Sequence, residues 1–240
     1  MSKRKWVKRF LIIILTISSI AAQNNFSSVS DASEEQFNQG KKYFFEKRYE
    51  AAEQALLKVI NSKPNHGEAL SIIGDIFLFR KDYYTALDYY KRAEPFSASP
   101  AIENFRMGQI YTKQNKPTEA VNAFQKALQY APSMKINLYQ IGFVELVLNR
   151  DKQKAIESWS RFVAEAVNDP QNEKIKSALR CLEDPKLKIP QKNESASLED
   201  ALLFCGIIEP SSADTTDDKA GHEEIKTDNA TRGLIEDNEL

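Results

Sequence analysis

Glycines stand at positions 40, 74, 108 and 142, separated by three equal intervals of 34 residues. Alanines keep the same interval: Ala52, Ala86 and Ala120 each follow their glycine by 12 residues, and Ala155 follows Gly142 by 13. A fixed period of this size marks stacked supersecondary units, each too small to bury its apolar face alone. The search for function therefore starts from a repeated surface and not from a pocket in one globular core.

Aligned on the glycines, other positions fall into columns. Repeat one holds Gly40, Tyr43, Ala52, Leu56, Val59 and Pro64, and repeat two holds Leu70, Ile73, Gly74, Phe77, Ala86, Tyr90 and Ala93. Repeat three holds Met107, Gly108, Tyr111, Ala120, Phe124, Ala127 and Pro132. Repeat four holds Leu138, Ile141 and Gly142, then Ala155, Trp159 and Phe162 after one inserted residue. The spacings are helical: Gly108 and Tyr111 stand at i,i+3, and Ala120, Phe124 and Ala127 at i,i+4,i+7. Breaks at Lys81-Asp82, Asn115-Lys116-Pro117 and Asn149-Arg150-Asp151 separate the two stripes of a repeat. Asp82 and Asp151 suit helix N-caps, and Pro117 suits a first helical turn. Each repeat thus reads as a helix hairpin. A helical glycine costs roughly 1 kcal/mol against alanine, so four at one phase predict close helix crossings. The later Ala155 predicts a longer turn in repeat four.

These columns resemble the tetratricopeptide repeat family over about 33–168. Repeats two and three follow its pattern closely; repeat four departs from it with Glu145 in an aromatic column and Lys154 in an alanine column. The resemblance implies an all-α fold, a right-handed α-solenoid of about four helix hairpins with a C-terminal capping helix. It also implies a concave groove, lined by the first helix of each hairpin, that holds a protein or peptide partner. Carried over position by position, the partner-binding expectation falls on Phe37, Lys41 and Phe44 in repeat one and Phe79 in repeat two. It continues through Ile102, Phe105 and Gln109 in repeat three and Ile136, Tyr139 and Phe143 in repeat four. Phe45, Leu146 and Val147 add to the apolar character of the same positions. Family members that grip a chaperone's C-terminal carboxylate use Lys, Asn and Arg at positions matching Phe37, Lys41, Ile72, Ile102 and Arg106, and only Arg106 agrees. An apolar or helical peptide is the expected partner.

The flanks differ in character. Lys3, Arg4, Lys5, Lys8 and Arg9 precede a 13-residue uncharged stretch, Phe10 to Ala22, that ends in small residues. Residues 1–22 read as an export signal, with cleavage near Ala21 or Ala22 preferred over an uncleaved anchor in which residues 6–22 tether the chain to a membrane. Either reading carries the repeats across the membrane, into a periplasmic or other extracytoplasmic space. Residues 23–32 form a polar linker. After the repeats, Ile175, Ala178, Leu179 and Leu182 form one stripe of a capping helix over 170–184, and a shorter helix is expected from Ser197. Residues 169–208 form this cap. Residues 209–240 carry ten acidic groups against three basic ones and no aromatic residue, a composition that reads as a disordered acidic tail. Cys181 and Cys205 are the two cysteines. They are candidates for a disulfide in an oxidising compartment, the alternative being two buried apolar thiols.

Composition narrows the function further. With 33 basic and 34 acidic residues spread along the chain, the basic footprint of a nucleic-acid binder is missing. The two cysteines and two distant histidines make no metal signature, no cofactor fingerprint is present, and no motif gives catalysis a foothold. A non-enzymatic scaffold or adaptor of the cell envelope is the expectation. Self-association into a homo-oligomer, or service as an accessory subunit of an envelope enzyme or transport complex, are the alternatives.

Overall fold

The computed structural model describes residues 32–192, 194 and 197–207. The expected signal or anchor (1–22), the linker as far as residue 31 and the acidic tail (209–240) lie outside the described residues. The described chain is helical, and no strand occurs among these residues. Its helices are α1 (32–45), α2 (Tyr49–Ser62), α3 (Gly67–Phe79), α4 (Tyr83–Ala93), α5 (Pro100–Lys113), α6 (Pro117–Tyr130), α7 (Ile136–Val147), α8 (Lys152–Glu165), α9 (Asn172–Leu182) and α10 (Leu198–Phe204). A 3-10 turn, Glu94–Phe96, follows α4. The four expected hairpins are α1/α2, α3/α4, α5/α6 and α7/α8.

Two compact units divide the chain, the first ending at Ala98 and the second starting at Ser99. In the first, α2 packs on α3 and α3 on α4, around a core of Phe37, Ala52, Leu56, Val59, Leu70, Ile73 and Ile76. In the second, α5 to α9 pack each on the next. Its core joins Phe124, Leu138, Phe143, Trp159 and Phe162 to Ile175, Leu179 and Leu182 of α9, and to Leu202, Cys205 and Ile207 at the chain's last described turn.

The repeated glycines explain how closely each hairpin closes. A Cβ built on Gly108 would stand 2.5 Å from Cε1 of Phe124, and one on Gly142 would stand 2.4 Å from Nε1 of Trp159. Gly40 and Gly74 meet Leu56 and Tyr90 in the same way, each at 2.8 Å. The glycine is therefore a seat for the large side chain four residues after the repeat alanine. Ala52, Ala86, Ala120 and Ala155 are fully buried beside these seats. The helix-propensity cost of each glycine is offset by burying a large side chain at van der Waals contact.

The turns inside the hairpins repeat as well. Lys47, Lys81 and Asn115 have φ of 58°, 61° and 54°, and Arg150 follows one residue late with φ 61°. In repeats one to three the next amide donates to the carbonyl five residues back: Arg48 to Tyr43, Asp82 to Phe77 and Lys116 to Tyr111. This is the Schellman closure of a helix C-terminus, with a left-handed residue at its centre. In repeat four the matching bond runs from Asp151 to Glu145, six residues back. The inserted residue is absorbed there, as the late Ala155 predicts.

The expected caps are present. Asp82 accepts from the amide of Thr85 and Asp151 from that of Lys154, and Pro117 opens α6. These bonds to the ionised form hold both carboxyls below their ordinary range; for Asp82 the hydroxyl of Thr85 contributes most, and for Asp151 the amide of Lys154. The cap stripe Ile175, Ala178, Leu179 and Leu182 is buried. Cys181 and Cys205 are bonded to each other, with Cα atoms 5.4 Å apart, so the end of α9 is stapled to the residue after α10.

Candidate functional site

Within the first unit, the C-terminal ends of α1 and α3 lie side by side and carry equivalent side chains. Phe45 and Phe79 are one period apart, and so are the left-handed lysines Lys47 and Lys81. Phe44 bridges the two helix ends, its ring centroid 5.8 Å from Phe45 and 6.0 Å from Phe79. Tyr49, at the start of α2, stacks on Phe79 at 5.4 Å. Phe45 keeps 72% of its surface exposed and Phe79 50%. The four aromatic rings thus form one cluster, in which Phe45 and Phe79 are open to solvent and Phe44 and Tyr49 are half-buried against the core.

The charges around this patch are unevenly satisfied. Arg80 donates to Glu53 at 2.5 Å and to Glu50 at 3.2 Å, and these bonds, with Glu53 first, raise its pKa. Arg48 pairs with Glu46 at 3.3 Å and lies over the ring of Tyr43 at 4.3 Å. Asp82 is engaged in capping α4. Lys47 and Lys81 are exposed and form no ion pair among the described residues. Two residues beyond Phe45 and Phe79 in the chain, Lys47 and Lys81 are thus charges without an ion-pair partner among the described residues, while the neighbouring carboxylates are committed elsewhere.

Placement of the ten sequence-derived positions corrects the picture of a continuously open groove. Phe44 is half-buried and Phe79 exposed, both in the patch. Lys41 is half-buried, its ammonium 5.7 Å above the ring of Phe37. Phe37 itself is buried: its ring lies 4.5 Å from that of His66, in the core of the first unit. In the second unit Ile102 is 44% exposed, whereas Phe105 is half-buried with its ring 5.8 Å from Phe124. Gln109 is buried. Ile136 is half-buried and borders an open cleft of about 540 Å³ between the α6–α7 and α8–α9 connections, spanned by the Lys135–Glu165 ion pair.

Tyr139 and Phe143 are core residues. Tyr139 is 6% exposed because its ring packs on Trp159 and Phe162, and its carbonyl accepts from the Trp159 indole N–H at 2.9 Å. Phe143 is 2% exposed, in the cluster that takes in α9 and the residues around α10. Leu146 and Val147 are buried in the same cluster. The expectation that repeat four presents large rings to a partner is overturned by this packing. One ring of the aromatic patch, Tyr49, and the two lysines close to the patch in sequence carry no mark of the site in the repeat pattern. Tyr49 opens a second helix and falls outside any first-helix pattern, and Lys47 and Lys81 look like ordinary turn residues. Their common signal is the 34-residue spacing of Phe45 with Phe79 and of Lys47 with Lys81.

Comparison with known proteins agrees with the repeat reading. Models of the tetratricopeptide repeat match residues 36–66 and 101–134. The uncharacterized protein ycf37 of Cyanophora paradoxa is 25% identical over 107 residues, 43% of this chain and 62% of that protein. The chain therefore spans less than two thirds of the length of that relative. Among solved structures, MamA is similar over 74% of this chain and 91% of its own, with 15% identity and a TM-score of 0.57. YrrB, described as a TPR protein with an unusual peptide-binding site, covers the same shares with 13% identity and a TM-score of 0.53. At these identities the likeness is one of fold. The chain carries tetratricopeptide repeats in both of its compact units, built as packed helix hairpins of an all-helical fold.

Proposed function

We propose that this protein is a non-enzymatic scaffold or adaptor of the cell envelope, and that it binds an apolar or helical peptide segment of a protein partner on the exposed ends of its first-helix faces. The observation that carries this reading is the aromatic patch of Phe44, Phe45, Tyr49 and Phe79, in which Phe45 and Phe79 are exposed. Large aromatic rings left exposed side by side are the usual anchors of protein recognition. YrrB, which shares the fold, is described by its peptide-binding site, in keeping with such a role. The envelope assignment rests on the basic and apolar character of residues 1–22.

Affinity capture by the full chain, beside a Phe45→Asp, Phe79→Asp version, tests the proposal. Both side chains are exposed, so the substitutions spare the core. A protein partner retained by the first and lost by the second supports the reading. Equal capture by both overturns it. If the patch instead drives concentration-dependent association of the chain with itself, light scattering will show a mass that falls to the monomer in the doubly substituted protein.

A further inference from the structure

The bond between Cys181 and Cys205 holds in place a helix that has little else to hold it. α10 has seven residues, fewer than a helix needs to persist alone in water. It follows α9 through the segment 183–197, which is not helical and contains Pro185 and Pro190. Of its seven residues only Leu202 is buried, and Phe204 is 79% exposed. Beyond it, Gly206 at φ 63° turns the chain back and the amide of Ile207 donates to the carbonyl of Leu202 at 2.9 Å. Cys205 and Ile207 are buried as a result. The connector is anchored near its start, where Lys152 donates to the carbonyl of Leu187 at 3.0 Å. Among the described residues no ion pair or side-chain hydrogen bond joins α10 to another helix; its cap, Ser197, serves the amide of Asp200.

The surface that the bridge reaches is apolar. Its two Cα atoms are 5.4 Å apart, so Leu202 and Ile207, on either side of Cys205, meet the last turns of α9. Ala178 and Leu182, on either side of Cys181, are buried there in the same cluster. We infer that α10 with Cys205 and Ile207 is a disulfide-latched cover on the end of α9, and that a dithiol reductant opens it to seat an amphipathic helical segment of a partner. The occupant is specified by what it replaces. α10 offers Leu198, Leu202 and Cys205 at i,i+4,i+7, a narrow apolar stripe behind an acidic first turn of Glu199 and Asp200. This seat lies in the second unit and does not depend on the aromatic patch of the first.

The opening step is a thiol–disulfide exchange. Cys181 is half-buried and Cys205 buried, so a thiolate of the reductant attacks Sγ of Cys181. The bond between the two cysteines breaks, and Sγ of Cys205 leaves as a thiolate and takes a proton. The second thiolate of the reductant then displaces Sγ of Cys181, which is protonated in turn. The reductant ends as a disulfide, and the protein has gained two electrons and two protons. With the loop no longer closed, only a few apolar side chains oppose the fraying of a seven-residue helix.

Amide hydrogen exchange of the full chain, before and after dithiothreitol, reads the cover. The amides of residues 201–207 should exchange on the order of a hundredfold faster after reduction, the factor that closing a loop of this span supplies. Those of α6 to α8 should keep their protection. A fluorescein-labelled peptide of residues 197–207, made with Cys205→Ala so that it forms no disulfide, probes the seat by anisotropy. It should bind the reduced chain saturably and at least about tenfold more tightly than the oxidised chain, because only the open fraction binds. Cys181→Ser with Cys205→Ser should match the reduced chain without any reductant. Adding Leu202→Ser to that variant should tighten binding further by weakening the tethered competitor.

Unchanged exchange at 201–207 on reduction overturns the latch. Loss of protection throughout α6 to α8 also overturns it, since the bridge would then support the whole unit. Faster exchange without binding of the peptide overturns the seat. The reduced Phe45→Asp, Phe79→Asp chain should bind the peptide as the parent does. Loss of binding in that variant places the peptide on the aromatic patch, which overturns this inference and leaves the reading of the patch intact.

Discussion

Replacing Gly108 by alanine separates two opposed effects whose sizes are known. Alanine improves helix propensity by roughly 1 kcal/mol. Against this, the added Cβ would stand 2.5, 2.7 and 2.8 Å from three atoms of the Phe124 ring. Contact at van der Waals distance requires about 3.4 Å or more, so the ring must retreat by nearly an ångström. Phe124 has no exposed surface and no free side to retreat into. Overpacking of this kind costs ~1–3 kcal/mol, and a fully buried ring places the cost at the upper end. The net expectation is a loss of about 1–2 kcal/mol. Urea unfolding followed by the fluorescence of Trp159, which belongs to the same unit, measures it. The decisive comparison is the same substitution made in a Phe124→Leu background. There the clash is gone and the propensity gain remains, so Gly108→Ala should become neutral or stabilising, with a coupling of about 2 kcal/mol between the sites. A Gly108→Ala protein that is more stable than the parent in both backgrounds would refute the seat-and-ring account of these crossings.

Other consequences follow from the turns, caps and staple. Lys81→Gly relieves a left-handed non-glycine residue and should stabilise the first unit by up to about 1 kcal/mol, seen as a higher melting temperature; a lower one would mean that Lys81 makes a stabilising contact. Reduction of Cys181–Cys205 opens a loop of 24 residues and should cost the second unit roughly 3 kcal/mol, read by the urea midpoint of Trp159 fluorescence. The folded-state pKa values of Asp82 and Asp151 lie below the ordinary Asp value. Their contribution is therefore present above about pH 4 and is lost as pH falls through the folded values. Asp151→Asn keeps a good N-cap without a titrating group, so its melting temperature should fall less steeply on acidification; parallel profiles would show that the cap bond does not drive the pH dependence.

The hairpins, caps and closing helices were legible because their causes are local or periodic. Gly108 and Phe124 sit at fixed repeat positions, Asp82 and Asp151 bond amides three residues on, and the α9 stripe has helical spacing. Even the inserted residue of repeat four announced itself through Ala155. Exposure was not legible in the same way. Repeat position says which helix face carries Tyr139, but its burial is set by Trp159, 20 residues later, which stacks on its ring and bonds its carbonyl. Phe143 likewise joins a cluster that includes residues around α10, far along the chain and outside the repeat pattern. Phe79, one period after the exposed Phe45, escaped that fate because its neighbours are Phe44 and Tyr49 at a helix end. The left-handed lysines were hidden for another reason: sequence marks a break without revealing which residue takes positive φ.

The most direct test of the central claim is photocrosslinking in the cells that make the protein, with a photoreactive amino acid in place of Phe45, Phe79 or Phe143. The account predicts partner adducts from positions 45 and 79, at the open patch, and none from position 143, which is packed in the core. Adducts from position 143 with none from 45 or 79 would contradict it and return the binding face to the fourth repeat.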